Sequence, residues 1–213
     1  MRAAVQFMLA LIISMPALVQ AAPTPQEVVD DTSRKVMAVL DANRETYRND
    51  PDAFVRGLDE VLNPVVDFEG IASSVMTVRY SRSATEEQTQ RFIDTFKRSM
   101  VQFYGNALLE FKSGEITVLP PNSREPRPDR ASVDMQVKAK DGQVYTATYT
   151  MTEIDGQWKV RNVIVEGINI GLLFRDQFAQ AMKANRNDLD AVIDNWGSVV
   201  AKSRETVKKE ATE

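Results

Sequence analysis

The apolar residues of this chain change from helical to alternating spacing at Gly114, and no other feature restricts its possible folds so strongly. From Thr24 to about Phe111 they recur at the 3.6-residue period of helices packed on one side. Thr24-Pro25-Gln26-Glu27 reads as a capping box with proline at the first helical position, followed by Val28, Val29, Val36, Met37 and Leu40. Asp50-Pro51 opens a second helix that Asn63-Pro64 stops. A short apolar stretch, Val65 to Val78, is interrupted by Gly70. Thr85-Glu86-Glu87-Gln88 then caps a long helix carrying Phe92, Phe96, Met100, Phe103, Tyr104 and Leu108.

Beyond Gly114 the period drops to two. Ala131–Lys140 alternates, with Val133, Met135 and Val137 on one face and Asp134, Gln136 and Lys138 on the other. Asp141-Gly142 and Asp155-Gly156 are hairpin turns, and between them Tyr145, Ala147, Tyr149 and Met151 share a face. Trp158–Val165 follows, and the chain then returns to helix through Leu172, Phe174 and Phe178, with a last helix after Asn187-Asp188. Helices, then a meander of about four strands (115–165), then helices (170–204) predict an α+β fold with helices on one face of a twisted sheet. No repeat or long linker divides residues 22–213, which read as one domain.

What is missing narrows the chemistry. The chain has neither cysteine nor histidine, so thiolate nucleophiles, imidazole bases, disulfides and Cys/His metal sites are excluded. No nucleotide-binding loop is present, and Lys+Arg 26 against Asp+Glu 30 does not suit a nucleic-acid binder. Paired acids such as Asp30-Asp31 and Glu86-Glu87 sit in or near first helical turns, where they complement the helix dipole. Arg124, Arg127 and Arg130 lie among prolines; they could dock a partner or a head group, or form a solvated loop.

The N-terminus reads as an export signal. Arg2 precedes an apolar run to Val19, and Val19-Gln20-Ala21 offers small residues where a signal peptidase cuts, so cleavage is expected after Ala21. An uncleaved anchor is the alternative, weakened by Gln6, Ser14 and Pro16 within the run. A cysteine-free exported chain with a sizeable core suits a bacterial periplasm.

Several stretches, taken in order, resemble the MlaC family of periplasmic phospholipid-binding proteins, also called toluene-tolerance auxiliary proteins. They are Asp67-Phe68-Glu69-Gly70-Ile71-Ala72, the Ser83–Gln88 helix start, Tyr104-Gly105-Asn106-Ala107-Leu108, and Gly156-Gln157-Trp158-Lys159-Val160-Arg161-Asn162-Val163-Ile164-Val165-Glu166-Gly167-Ile168-Asn169 with Arg175-Asp176-Gln177-Phe178 behind it. Two departures stand out. Where family members often carry a Leu-Gly pair, this chain reads Val75-Met76-Thr77-Val78-Arg79-Tyr80, and Asn162 replaces a usual acidic residue.

The resemblance implies an NTF2-like twisted antiparallel sheet wrapped by helices, with a cavity for acyl chains between them. It implies a non-enzymatic phospholipid carrier without cofactor, acting as a monomer in the periplasm. The partners would be an outer-membrane lipoprotein–porin complex and an inner-membrane MCE-domain ABC transporter, and the process the upkeep of outer-membrane lipid asymmetry. The cavity lining is then expected from the inward sheet face (Val133, Met135, Val137, Tyr149, Met151, Val163 and Val165). The helices would add Phe96, Met100, Phe103, Leu108, Leu172 and Phe174. Two other readings stay open. An NTF2-like enzyme could pair an Asp base with Tyr104, Tyr145 or Tyr149. A transporter adaptor would have a filled core and no lipid.

Overall fold

The computed structural model describes residues 22–110, 113–121, 127–139 and 142–201, without the side chains of residues 103, 104, 106, 107, 110, 113 and 114. The expected leader (1–21), Arg124, Asp141, the Tyr104 and Phe103 side chains and the tail from Lys202 lie outside the described parts. Four helices lead: α1 (Pro25–Asn49), α2 (Pro51–Leu62), α3 (Phe68–Ser81) and α4 (Glu86–Glu110). Next come β1 (Ser113–Val118), β2 (Arg130–Ala139), β3 (Val144–Ile154), β4 (Gln157–Val165) and the two-residue β5 (Ile168–Asn169), then α5 (Ile170–Ala184) and α6 (Leu189–Asp194).

The helix starts are where their side chains put them. Thr24 and Glu27 form the reciprocal box at α1. Asp50 ends α1 and accepts from the Ala53 amide at 2.9 Å to begin α2. Thr85 and Gln88 exchange bonds of 3.1 Å ahead of α4. Each cap satisfies amides that a helix N-terminus leaves unpaired. Gly70 does not interrupt the 65–78 stretch as expected: it lies inside α3, whose N-cap is Asp67. The break falls instead at Thr77, with φ 62° and ψ 158°.

The sheet has five strands in the order β1-β2-β3-β4-β5, all neighbours antiparallel, one more than expected because β5 is too short to show a period. Asp155 (φ 51°) and Gly156 (φ 75°) make the tight turn between β3 and β4. Val133 faces Tyr149, and Tyr149 faces Val163, so the expected inward row is continuous across β2, β3 and β4. Between Thr150 and Met151 the β3–β4 register shifts, leaving Arg161 as the extra residue of a β-bulge.

Three buried clusters form. One joins α3, α4, α5 and α6 around Phe92, Phe174, Phe178 and Trp196. A second joins α1, α2 and α4 around Leu40, Tyr47 and Phe54, the two rings stacked at 4.9 Å. The third lies between α1 and the sheet and holds Val29, Val133, Met135 and Met151. The first and third clusters do not close on each other everywhere.

Candidate functional site

The space left between them is a cavity of about 650 Å³, inside the usual range for ligand sites. Its floor is β3 and β4 (Tyr149, Met151, Val160, Val163). Its roof comes from α3 (Phe68, Ile71, Val75), α4 (Phe96, Met100) and the start of α5 (Ile170, Leu172, Phe174), with Leu62 and Val66 at one end. Tyr149 is the one titratable group on that wall with a resolved perturbation: burial pushes its phenol above the ordinary value. Among the described residues no Asp or Glu lines it, and no group of three or more acids could hold a metal ion.

The bulge at Arg161 ties sheet to helix at the cavity wall. The Arg161 guanidinium donates to Asp67 Oδ2 at 2.6 Å and reaches the Gly70 carbonyl at 3.4 Å. Asp67 uses its other oxygen to accept from the Gly70 amide at 2.8 Å. A Cβ at position 70 would collide with both the guanidinium and the carboxylate. Glycine is required there by close approach, not by backbone conformation. The Asp67–Gly70 and Trp158–Asn162 stretches, far apart in sequence, are thus two halves of one junction.

Asn162, the next residue, has a comparable role toward α5. Its oxygen accepts from the Gly171 amide at 2.9 Å while its Nδ2 donates to Asn169 Oδ1 at 3.0 Å, and Asn169 in turn caps α5 through the Leu172 amide. A carboxylate at position 162 could take the first bond but not make the second, so the amide matches Asn169.

Of the residues expected to line a cavity, the structure places Phe96, Met100, Tyr149, Met151, Val163, Leu172 and Phe174 on this one. Val133, Met135 and Val137 share the sheet face but not the cavity, because α1 covers their half of it: Val28 and Val29 pack there, and the Ser33 hydroxyl sits 3.4 Å from Met135 Sδ. Val165 and Leu108 are also off the wall, 38% and 43% exposed. Phe103 lies outside the described side chains. Sequence reasoning missed the α3 face. Phe68, Ile71 and Val75 stand at i, i+3 and i+7, a readable stripe once Gly70 is not taken as a break.

A second, more polar cleft of about 440 Å³ shares Val66 and Phe68 with the first. Lys97 sits there, its Nζ 4.0 Å from the Phe68 ring centre and 3.0 Å from Asp59. It is walled by charged side chains and offers little apolar surface.

Comparison with known proteins follows the same outline. The family model of the MlaC protein matches residues 30–198. The chain belongs to the MlaC family. It is 52% identical over 198 residues to the toluene tolerance protein ttg2D of Pseudomonas putida, covering 93% of this chain and 91% of that one. Its fold is similar to that of the phospholipid-binding protein of Ralstonia solanacearum solved in complex with a phospholipid, with a TM-score of 0.74 and 19% identity. That match covers 85% of this chain and 99% of the other.

Proposed function

We propose that this MlaC-family protein is a phospholipid carrier rather than an enzyme, and that the cavity between β3–β4 and α3–α5 takes the acyl chains. The observation that carries the reading is the cavity wall itself: aromatic and aliphatic side chains face space that the surrounding clusters leave unfilled. Close packing is the norm in protein interiors, so an unfilled apolar space of this size favours a ligand that completes it. Among the described residues no helix is long and apolar enough to cross a membrane.

The energetics suit transport. Burial recovers about 0.8 kcal/mol per methylene, so roughly thirty methylenes give about 24 kcal/mol gross. A bilayer offers nearly the same, leaving transfer close to balanced. Direction must then come from partners: an outer-membrane lipoprotein–porin complex on one side and an inner-membrane MCE-domain ABC transporter on the other. A cleaved leader (1–21) and a periplasmic site of action complete the proposal. At about 650 Å³ the cavity is below the usual upper limit of about 1,000 Å³ for ligand sites, and two full tails are expected to need more space than it encloses.

Native mass spectrometry of the detergent-free protein tests the reading. Mass additions matching diacyl phospholipids, lost on delipidation, are expected. A bare polypeptide that takes up nothing from liposomes would overturn it in favour of an adaptor. The Asp/Tyr enzyme is disfavoured by the lining, where no Asp or Glu accompanies Tyr149 among the described residues.

A further inference from the structure

Most arginines among the described residues are paired with an acid. Arg79, Arg82, Arg127 and Arg186 are not, and all of these but Arg127 lie where α3 and α5 end. The two helix ends are held together by Tyr80. Its hydroxyl donates to Asn187 Oδ1 at 2.6 Å, and its ring meets Phe178 of α5 edge-on at 5.9 Å. Arg79 is next to it, with its guanidinium 5.2 Å from the ring centre. Arg82 is the C-cap of α3, Arg186 directly precedes Asn187, and Lys183, also without an ion pair, is in the last turn of α5. All four cations are exposed. Val78 stands in the same turn as Arg79 and is 62% exposed, more than any other large apolar side chain among the described residues.

The helix dipole favours cations at C-terminal ends, and two such ends meet here. That accounts for the sign of the charge but not for the backbone. Arg186 (φ 56°) and Asn187 (φ 64°) are both left-handed, as is Thr77 (φ 62°) just before Val78. Non-glycine residues in that region cost energy, and such strain gathers where a surface is shaped for use. The neighbouring acids are otherwise employed. Asp188 accepts from the Ala191 amide at 3.0 Å to cap α6, and Asp190 and Asp194 hold Arg91. Glu86 and Glu87 occupy the first turn of α4, whose dipole they complement.

We propose that Arg79, Arg82, Lys183 and Arg186 form a docking surface for an anionic lipid bilayer, with Val78 entering the head-group layer. Long cationic side chains reach phosphates while their stems and one aliphatic side chain meet the interface. A folded protein partner would call for a broader apolar centre than a single valine. The position is also informative. Both helices start beside β4, at Asp67–Arg161 and at Gly171–Asn162, and both end at this corner. The surface therefore lies at the far ends of the helices that roof the cavity. None of these five residues is on the cavity wall, so the proposal does not rest on what the cavity holds.

Vesicle flotation at low ionic strength tests it, using phosphatidylglycerol and phosphatidylcholine in equal parts against phosphatidylcholine alone. The native protein is expected to float with the anionic vesicles only, and added salt to release it. Arg79→Gln with Arg82→Gln and Arg186→Gln should lower partitioning by about tenfold or more, since each cation near an anionic surface gives a several-fold gain. Val78→Ser should lower it by about twofold to threefold. Arg34→Gln with Arg48→Gln and Arg56→Gln removes the same charge from α1 and α2, and a loss under about twofold is expected. Equal losses in the two triple variants would assign binding to net charge and overturn the corner. A native protein that floats with neither vesicle would overturn the lipid surface and leave an acidic protein as the occupant. Lipid retention in native mass spectrometry should be alike in every variant, so failure of the docking surface leaves the carrier reading standing. Loss of retention in the corner variants would overturn the separation of the two sites.

Discussion

One face of one sheet is covered in two ways. Over β1 and β2 lies α1, 25 residues without a break, and its Val29 meets Val133 and Met135 in a closed cluster. Over β3 and β4 lie α3 and α5, which meet each other and the aromatic cluster but leave about 650 Å³ against the sheet. The residue types are much the same on both sides: valines, methionines and aromatics. The contrast teaches that hydrophobicity marks which face is covered but not whether the cover fits. Fit is set by how the covering helix is held. The uninterrupted α1 packs directly on β1 and β2, whereas α3 is tied to the sheet at the Asp67–Arg161 junction and bent at Thr77.

A matched pair of substitutions breaks or sharpens that contrast most directly. Met135, 6% exposed, is in the closed half, and Met100 lines the open one. Met135→Ala is expected to cost about 2–4 kcal/mol, because a lost side chain leaves a void that its neighbours cannot fill. Met100→Ala removes the same atoms from a wall that already faces space, and only the transfer component of about 1 kcal/mol is expected. Urea unfolding of the delipidated protein reads both. Equal losses would mean that the two halves are packed alike.

The bend in α3 gives the next largest effect. Thr77 has φ 62° and ψ 158°, a conformation that β-branched residues adopt only under strain. It sits in the stretch where the chain departs from the family's Leu-Gly pair. Thr77→Gly is expected to stabilise the protein by about 1 kcal/mol, the relief of strain exceeding the added entropy of the unfolded chain. Lipid retention should not change, since Thr77 is not on the wall. Destabilisation by this variant would show that the Thr77 side chain holds the bend in place.

Much of this was legible from the residues. Caps at Thr24, Asp50 and Thr85 and the Asp155-Gly156 turn are local chemistry, and the structure has each where the side chains demand it. Alternation identified the shared row of Val133, Tyr149 and Val163, since a period of two assigns a face. It could not tell which part of that face α1 would cover, because the answer depends on contacts between segments a hundred residues apart, such as Ser33 with Met135. Gly70 misled for a related reason. A glycine in an apolar stretch reads as a break, yet here it makes room for a guanidinium from β4. Nothing local to α3 announces that partner.

The smallest effect concerns Tyr149, which belongs to both halves: its ring packs with the closed cluster and lines the cavity. Burial raises its pKa above the ordinary 10.0 because the phenolate would lose its hydration. The sign follows from proton counting. Above the unfolded value the unfolded chain releases this proton while the folded chain keeps it, so stability falls as pH rises from the unfolded toward the folded pKa. Below pH 10 the group contributes no slope. Tyr149→Phe is therefore expected to flatten the alkaline limb of the stability profile, with little change at neutral pH. A ligand that fills the cavity should deepen the burial of Tyr149 and steepen the native limb, whereas the Phe variant should show no such coupling. If ligand leaves the alkaline slope of the native protein unmoved, the occupied space is not the one that Tyr149 faces.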